Sequence, residues 1–146
     1  MIATKSVWVR AGLLCLLLWP AHAVTQQGHW ERHMRAGLAA YQQGHYAEAV
    51  KQTKAALSAA EAFGPNDPRL AGTLHNLGEF YRAQGRYAEA EPLLKRALAI
   101  VEKALGPDHP NVAKSLENYA AVLRKTGRTT EAVKLEARAK AIRAGR

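Results

Sequence analysis

The sequence is poor in the residues that chemistry needs. Its only cysteine is Cys15, and its only aspartates are Asp67 and Asp108. A fold built after residue 23 therefore has no disulfide and no thiol chemistry, and it must hold by packing alone. No glycine-rich phosphate loop, no nucleophile elbow and no supported pair of carboxylates can be found. Ser58 and Ser115 have no plausible base beside them, and both aspartates sit in proline turns where helix capping explains them. Alternating β-branched runs are missing, so no strand is expected. These gaps leave no enzyme class and no cofactor to propose.

The first residues have the three parts of a secretory signal. Lys5 and Arg10 give a positive start, Ala11 to Trp19 is an apolar run, and Ala21-His22-Ala23 is a small-x-small cleavage site. The run falls short of the roughly 20 residues that a spanning helix needs. An uncleaved anchor is the other reading of the same residues. Cys15 lies inside the segment but follows Leu14, not the small residue that a lipidation signal has, so lipidation is set aside. Cleavage leaves residues 24–146 as one domain, exported to a periplasm or secreted, with no membrane span. The formal net charge is +9, falling to about +7 when Lys5 and Arg10 leave, which favours acidic partners or anionic surfaces. A solvated basic surface accounts for the charge equally well, because the basic residues are scattered among acidic ones.

What is abundant is repetition. Gly64-Pro65-Asn66-Asp67-Pro68 recurs as Gly106-Pro107-Asp108-His109-Pro110, a shift of 42. Gly85-Arg86-Tyr87-Ala88-Glu89-Ala90 has an upstream match in Gly44-His45-Tyr46-Ala47-Glu48-Ala49 and a downstream one in Gly127-Arg128-Thr129-Thr130-Glu131-Ala132. Three short turns alternating with two long ones predict six helices paired as three hairpins, an all-α solenoid. Gly64 and Gly106 suit left-handed helix ends. Pro68 and Pro110 suit first helical positions, with Asn66, Asp67 and Asp108 placed to cap.

The buried faces are legible as well. Leu70, Leu74, Leu77 and Tyr81 follow helical spacing, and Val112, Leu116, Tyr119 and Leu123 copy it. Ala90, Leu94, Ala97, Val101 and Leu105 make the matching stripe on a second helix. Small residues recur where helices must approach: Gly37, Gly78 and Ala120 on the first helices, and Ala49, Ala90 and Ala132 on the second. The last helix, Thr129 to Arg143, carries charges around a thin stripe of Ala132, Val133, Leu135, Ala139 and Ile142, with Glu136 where the middle unit has Leu94. That pattern suits a solvated end, and a dimer face is the alternative.

On these residues the unit resembles the tetratricopeptide repeat. More narrowly, Asn76-Leu77, Gly85 to Leu93, Arg96-Ala97-Leu98 and Leu105 to Ala113 resemble the longer repeats of kinesin light chains and similar bacterial proteins. The resemblance covers roughly residues 30–146, in repeats at about 30–63, 71–104 and 113–146. It weakens at the ends, where Ala40 and Leu123 stand at the Tyr81 position and Thr129 stands for Tyr87.

The resemblance implies that the first helices line a concave groove for an extended peptide. Asn76 and Asn118 match the family's groove asparagines, whose amides offer both donor and acceptor to a backbone. A second asparagine often precedes each in the family; here His75 and Glu117 do, and Arg35 falls where the first unit would have its asparagine. His75, Glu117, Arg35, Glu79 and Arg82 would then set selectivity. The alternative is that Asn76 and Asn118 merely bond across neighbouring helices.

The leading expectation is a non-enzymatic exported adaptor that binds a protein or peptide segment. The alternative is a structural or oligomerisation module that extends a larger envelope assembly, so oligomeric state is left open. A metal reading rests on His29 and His33, four apart on one helix face, with no third ligand evident. Nucleic acid is not expected, because no basic cluster is interleaved with exposed rings and export opposes it.

Overall fold

The computed structural model describes residues 11–145. Six helices follow in order: α1 (Ala11–Gln42), α2 (Tyr46–Glu61), α3 (Pro68–Ala83), α4 (Tyr87–Leu105), α5 (Pro110–Lys125) and α6 (Thr129–Arg143). Among the described residues there is no strand. Residues 1–10 of the candidate signal lie outside the described residues. Its remainder runs without a break into the rest of α1. Among the described residues no helix is long and apolar enough to cross a membrane.

The helices pack as three antiparallel hairpins, α1 with α2, α3 with α4 and α5 with α6, and each hairpin leans on the next through α2–α3 and α4–α5. The first helices form one layer and the second helices the other. α3 and α5 also touch across the second seam, and the first helices form the layer that the repeat resemblance makes the inner one.

The turns form for local reasons. Pro68 starts α3, and the Asp67 carboxylate accepts from the Arg69 N–H at 2.8 Å. The next long turn differs from expectation: the cap is His109 Nδ1, accepting from Asn111 N–H at 3.1 Å, and Asp108 plays no such part. The capping residue is the one directly before the proline, and the 42-residue shift carries Asp67 to His109, not Asp108. Gly64 and Gly106 both have positive φ, 111° and 89°, where a side chain would be strained.

The expected faces are buried. Leu70, Leu74, Val112 and Leu116 are fully enclosed, and Leu77, Tyr81, Tyr119 and Leu123 nearly so. On α4 the stripe is wider than expected: Leu98 and Ile100 are buried too, while Leu105, at the helix's last residue, is 45% exposed. α4 is the middle second helix, so hairpins press on it from both sides and two clusters share it. On α6 the stripe is narrower. Ala132, Ala139 and Ile142 are buried, but Val133 is 48% exposed, because it lies about 100° round the helix from Ala132, on a face that no described helix covers.

That last face is sealed by charge. Glu136 stands where α4 has buried Leu94, and it meets Arg124 Nη2 at 2.6 Å. Arg143 stands where α4 has Val101, and it meets Glu117 at 2.6 Å. The seams between hairpins are stitched with period as well. Glu61 pairs with Arg96 across α2 and α4, and Glu102 pairs with Arg138 across α4 and α6. Trp30 Nε1–H donates to Thr73 Oγ1 at 2.8 Å and sets its ring edge-on to Phe63.

The hairpins close over small residues. A methyl group on Gly78 would lie 2.7 Å from Leu94 Cγ, and one on Gly37 would lie 2.5 Å from Thr53 Oγ1. Gly78→Ala is expected to lower stability by about 1–3 kcal/mol through overpacking. Chemical denaturation checks this, and an unchanged midpoint would contradict the hairpin geometry. Thr53 Oγ1 is fully buried with no hydrogen-bond partner among the described residues. Thr53→Val keeps the shape and removes the unpaired hydroxyl, so it should stabilise by about 1 kcal/mol. A lowered melting temperature would count against that account.

Candidate functional site

The inner face is built from one position in each first helix and its neighbours. Arg35 on α1, Asn76 on α3 and Asn118 on α5 are equivalent by the repeat. The structure treats them differently. Asn118 Nδ2 lies 3.3 Å from His75 Nε2, across the seam between α3 and α5. Arg35 is exposed and Asn76 half-buried, and neither side chain has a hydrogen-bond or ion-pair partner among the described residues.

The remaining expected residues are largely engaged. Glu79 and Arg82, three apart on α3, form a two-pronged pair with Arg82 Nη2 at 2.6 Å from Glu79 Oε2. Glu117 is drawn toward α6 by Arg143. The face therefore brings His75, Glu79, Arg82 and Asn118 together, leaves Arg35 and Asn76 open, and turns Glu117 to the solenoid's end.

His75 is half-buried, and desolvation pushes its imidazole below the ordinary histidine value of 6.5. The nearby Glu79 carboxylate opposes that shift, whereas Lys114 and Arg82 reinforce it. At neutral pH the ring is uncharged, so it can accept the Asn118 N–H.

Charge elsewhere is internally spent. Among the described residues, every glutamate from Glu48 onward has a Lys or Arg within ion-pair distance, and so does Asp67. Every arginine from Arg69 to Arg143 is taken by these pairs. The positive surplus is left on Arg32, Arg35 and lysines, of which Lys114 lies one turn before Asn118.

The two N-terminal histidines do share a face, with rings stacked at 6.4 Å. His33 Nδ1 is engaged by Gln52 Oε1 at 2.7 Å and His29 Nδ1 by Arg32 at 2.9 Å. No group of three metal-binding side chains occurs among the described residues. A recess of about 260 Å³ between α5 and α6 is lined by Tyr119, Leu123, Glu131, Lys134 and Leu135, and contains none of the inner-face residues.

Sequence reasoning missed two kinds of contact. The seam pairs Glu61–Arg96 and Glu102–Arg138 were available as charges recurring at 41 and 42 residues. The Tyr119 hydroxyl and Arg128 both reach Glu91, and only the packing of α5 on α4 brings them together.

A model of the tetratricopeptide repeat matches residues 69–144, more than half of the chain. The chain belongs to the tetratricopeptide repeat family. Such repeats generally mediate protein–protein interaction, and scaffolds of this kind are typically non-catalytic. A kinesin light chain of nearly identical TPR-like repeats from Podosopora anserina superposes with a TM-score of 0.68 at 28% identity. The match covers 84% of this chain but only 57% of that one. BtubC (BKLC) from P. vanneervenii superposes at 0.74 with 25% identity, over 80% of this chain and 47% of that one. The TPR domain of Arabidopsis FLU superposes at 0.72 with 19% identity, over 83% and 99%, a likeness of fold alone. A comparison with curated protein sequences returns no match.

The repeat architecture has a pH signature. A histidine whose folded value is lowered stabilises the fold when neutral, and that stability is lost as pH falls below 6.5 toward the folded value. Asp67, Glu61 and Glu136 are lowered by hydrogen bonds from Arg69, Arg96 and Arg124, so their contribution is lost only at more acid pH, below the ordinary carboxylate values. Denaturation midpoints should therefore decline in two stages on acidification, and His75→Asn should flatten the upper one. Identical profiles for the two proteins would remove His75 from the account.

Proposed function

We propose that the chain is an exported, non-enzymatic adaptor that holds an extended segment of a partner protein along the inner face of α1, α3 and α5. One observation supports this most: open amide and guanidinium groups recur at the equivalent position of all three first helices, beside arginines and glutamates that are otherwise paired. Asn76 and Arg35 have no partner among the described residues, and Asn118 uses its amide nitrogen on His75 while Oδ1 has none. Thr53 Oγ1 is the sole side-chain polar atom among the described residues that is both buried and unpaired, so these open groups are reachable by solvent or by a ligand.

Open amides suit a peptide backbone, because they read its N–H and C=O without regard to side chains. Arg35 and Lys114, both outside the ion-pair network, favour a segment carrying acidic residues. Export is supported by the apolar run and small-x-small site of residues 1–23. A role as a stacking module gains no support at the α6 end, where Glu136 and Arg143 replace the apolar side chains that a further hairpin would need.

Asn76→Ala combined with Asn118→Ala should weaken partner capture from envelope extract and leave the fold intact. Loss of two backbone-reading bonds at about 1 kcal/mol each corresponds to roughly thirtyfold weaker binding. A titration of the captured partner against both proteins, with matched circular dichroism melts, checks this. Unchanged affinity in the double variant would refute the groove reading.

A further inference from the structure

The three equivalent first helices differ at one detail that bears on how the groove reads a ligand. At the second seam, His75 of α3 faces Asn118 of α5 at 3.3 Å. At the first seam the repeat places Met34 where His75 stands, and Met34 is buried with only a thioether to offer. Asn76 accordingly has no partner among the described residues, whereas Asn118 does. The same amide is thus free to rotate in one repeat and held in the next.

We propose that His75 is the positioning residue for the Asn118 amide: its uncharged ring holds Nδ2 and leaves Oδ1 as an outward acceptor for a backbone N–H of the bound segment. This deepens the groove reading and rests on it. The chemistry follows from the donor inventory. A neutral imidazole protonated on Nδ1 presents a lone pair at Nε2, and the Asn118 N–H donates to it. Its orientation then fixes which half of the amide faces a ligand.

Protonation reverses the arrangement. With a proton on Nε2, two donors face each other at 3.3 Å, and the pairing survives only when the amide turns and Oδ1 accepts from the ring. Nδ2 is then presented outward, so the position changes from an acceptor to a donor. The charged groups that act on the ring are Glu79 and Arg82 from its own helix and Lys114 from α5. Glu79 favours the imidazolium, but its carboxylate is already held by Arg82. Lys114 and Arg82 disfavour it, as does burial. The uncharged ring therefore persists to lower pH than in a free histidine, and the inversion belongs to acidic conditions.

The test needs no ligand. The isotope-labelled full chain is titrated from about pH 8 to about pH 5 by NMR, following the His75 ring and the side-chain amides of Asn76 and Asn118. The expected result is a neutral His75 tautomer protonated on Nδ1, with Asn118 amide resonances that shift at the midpoint of His75 while those of Asn76 stay still. In His75→Gln, which cannot titrate, the Asn118 resonances should lose that transition. An Asn118 amide that does not follow His75, or a neutral ring protonated on Nε2, would overturn the proposal. The wild-type titration decides this even if the variant folds poorly. Failure of the groove reading is a separate result: the amide transition is present, but Asn76→Ala with Asn118→Ala leaves partner capture unchanged.

Discussion

The close approach of paired helices is the constraint on which the remaining features depend. Gly78 leaves no room for a methyl beneath Leu94, and Gly37 leaves none beneath Thr53. That approach sets the pitch of each hairpin, and the pitch sets which residues of neighbouring hairpins meet. In the third hairpin Ala120 already carries the methyl that Gly78 lacks, and a leucine opposite it would meet the crowding seen between Gly78 and Leu94. Glu136 stands there instead and reaches away to Arg124. The solvated end and the tight middle are thus two outcomes of one packing rule.

Once the pitch is fixed, the seams have little freedom. Glu61–Arg96 and Glu102–Arg138 join successive second helices at the same relative place. Exposed pairs of this kind contribute little each to stability. Their consequence for function is that they consume charge. Carboxylates and guanidinium groups from Asp67 onward are almost all paired among the described residues, which leaves the amides of the first-helix layer, Arg32, Arg35 and unpaired lysines for the proposed ligand.

Much of the fold could be read from the sequence, because a repeat announces its own period. The two proline turns, the leucine faces of α3 and α5 and the small residues all lie where the periodicity put them. What the sequence hid depends on neighbours. Leu98 and Ile100 are buried because α4 is the middle second helix, and Val133 is exposed because no described helix covers its face of α6. The cap at His109 is not legible because an aspartate, the commoner capping residue, stands beside it, although an unprotonated ring nitrogen also accepts the bond. The inner-face residues were identifiable as a set, but not their states. Helical spacing cannot show that Glu79 and Glu117 are held by Arg82 and Arg143, or that Asn118 is held and Asn76 is not. Two of those distinctions arise between helices, Glu117 with Arg143 inside the third hairpin and His75 with Asn118 across a seam, 26 and 43 positions apart.

The central claim is that the first-helix layer carries recognition. The most direct measurement is backbone shift mapping of the labelled chain with a captured partner segment bound. The account predicts that perturbations gather on α1, α3 and α5 around Arg35, Asn76 and Asn118. Perturbations confined to α2, α4 and α6, with the inner face unmoved, would contradict it.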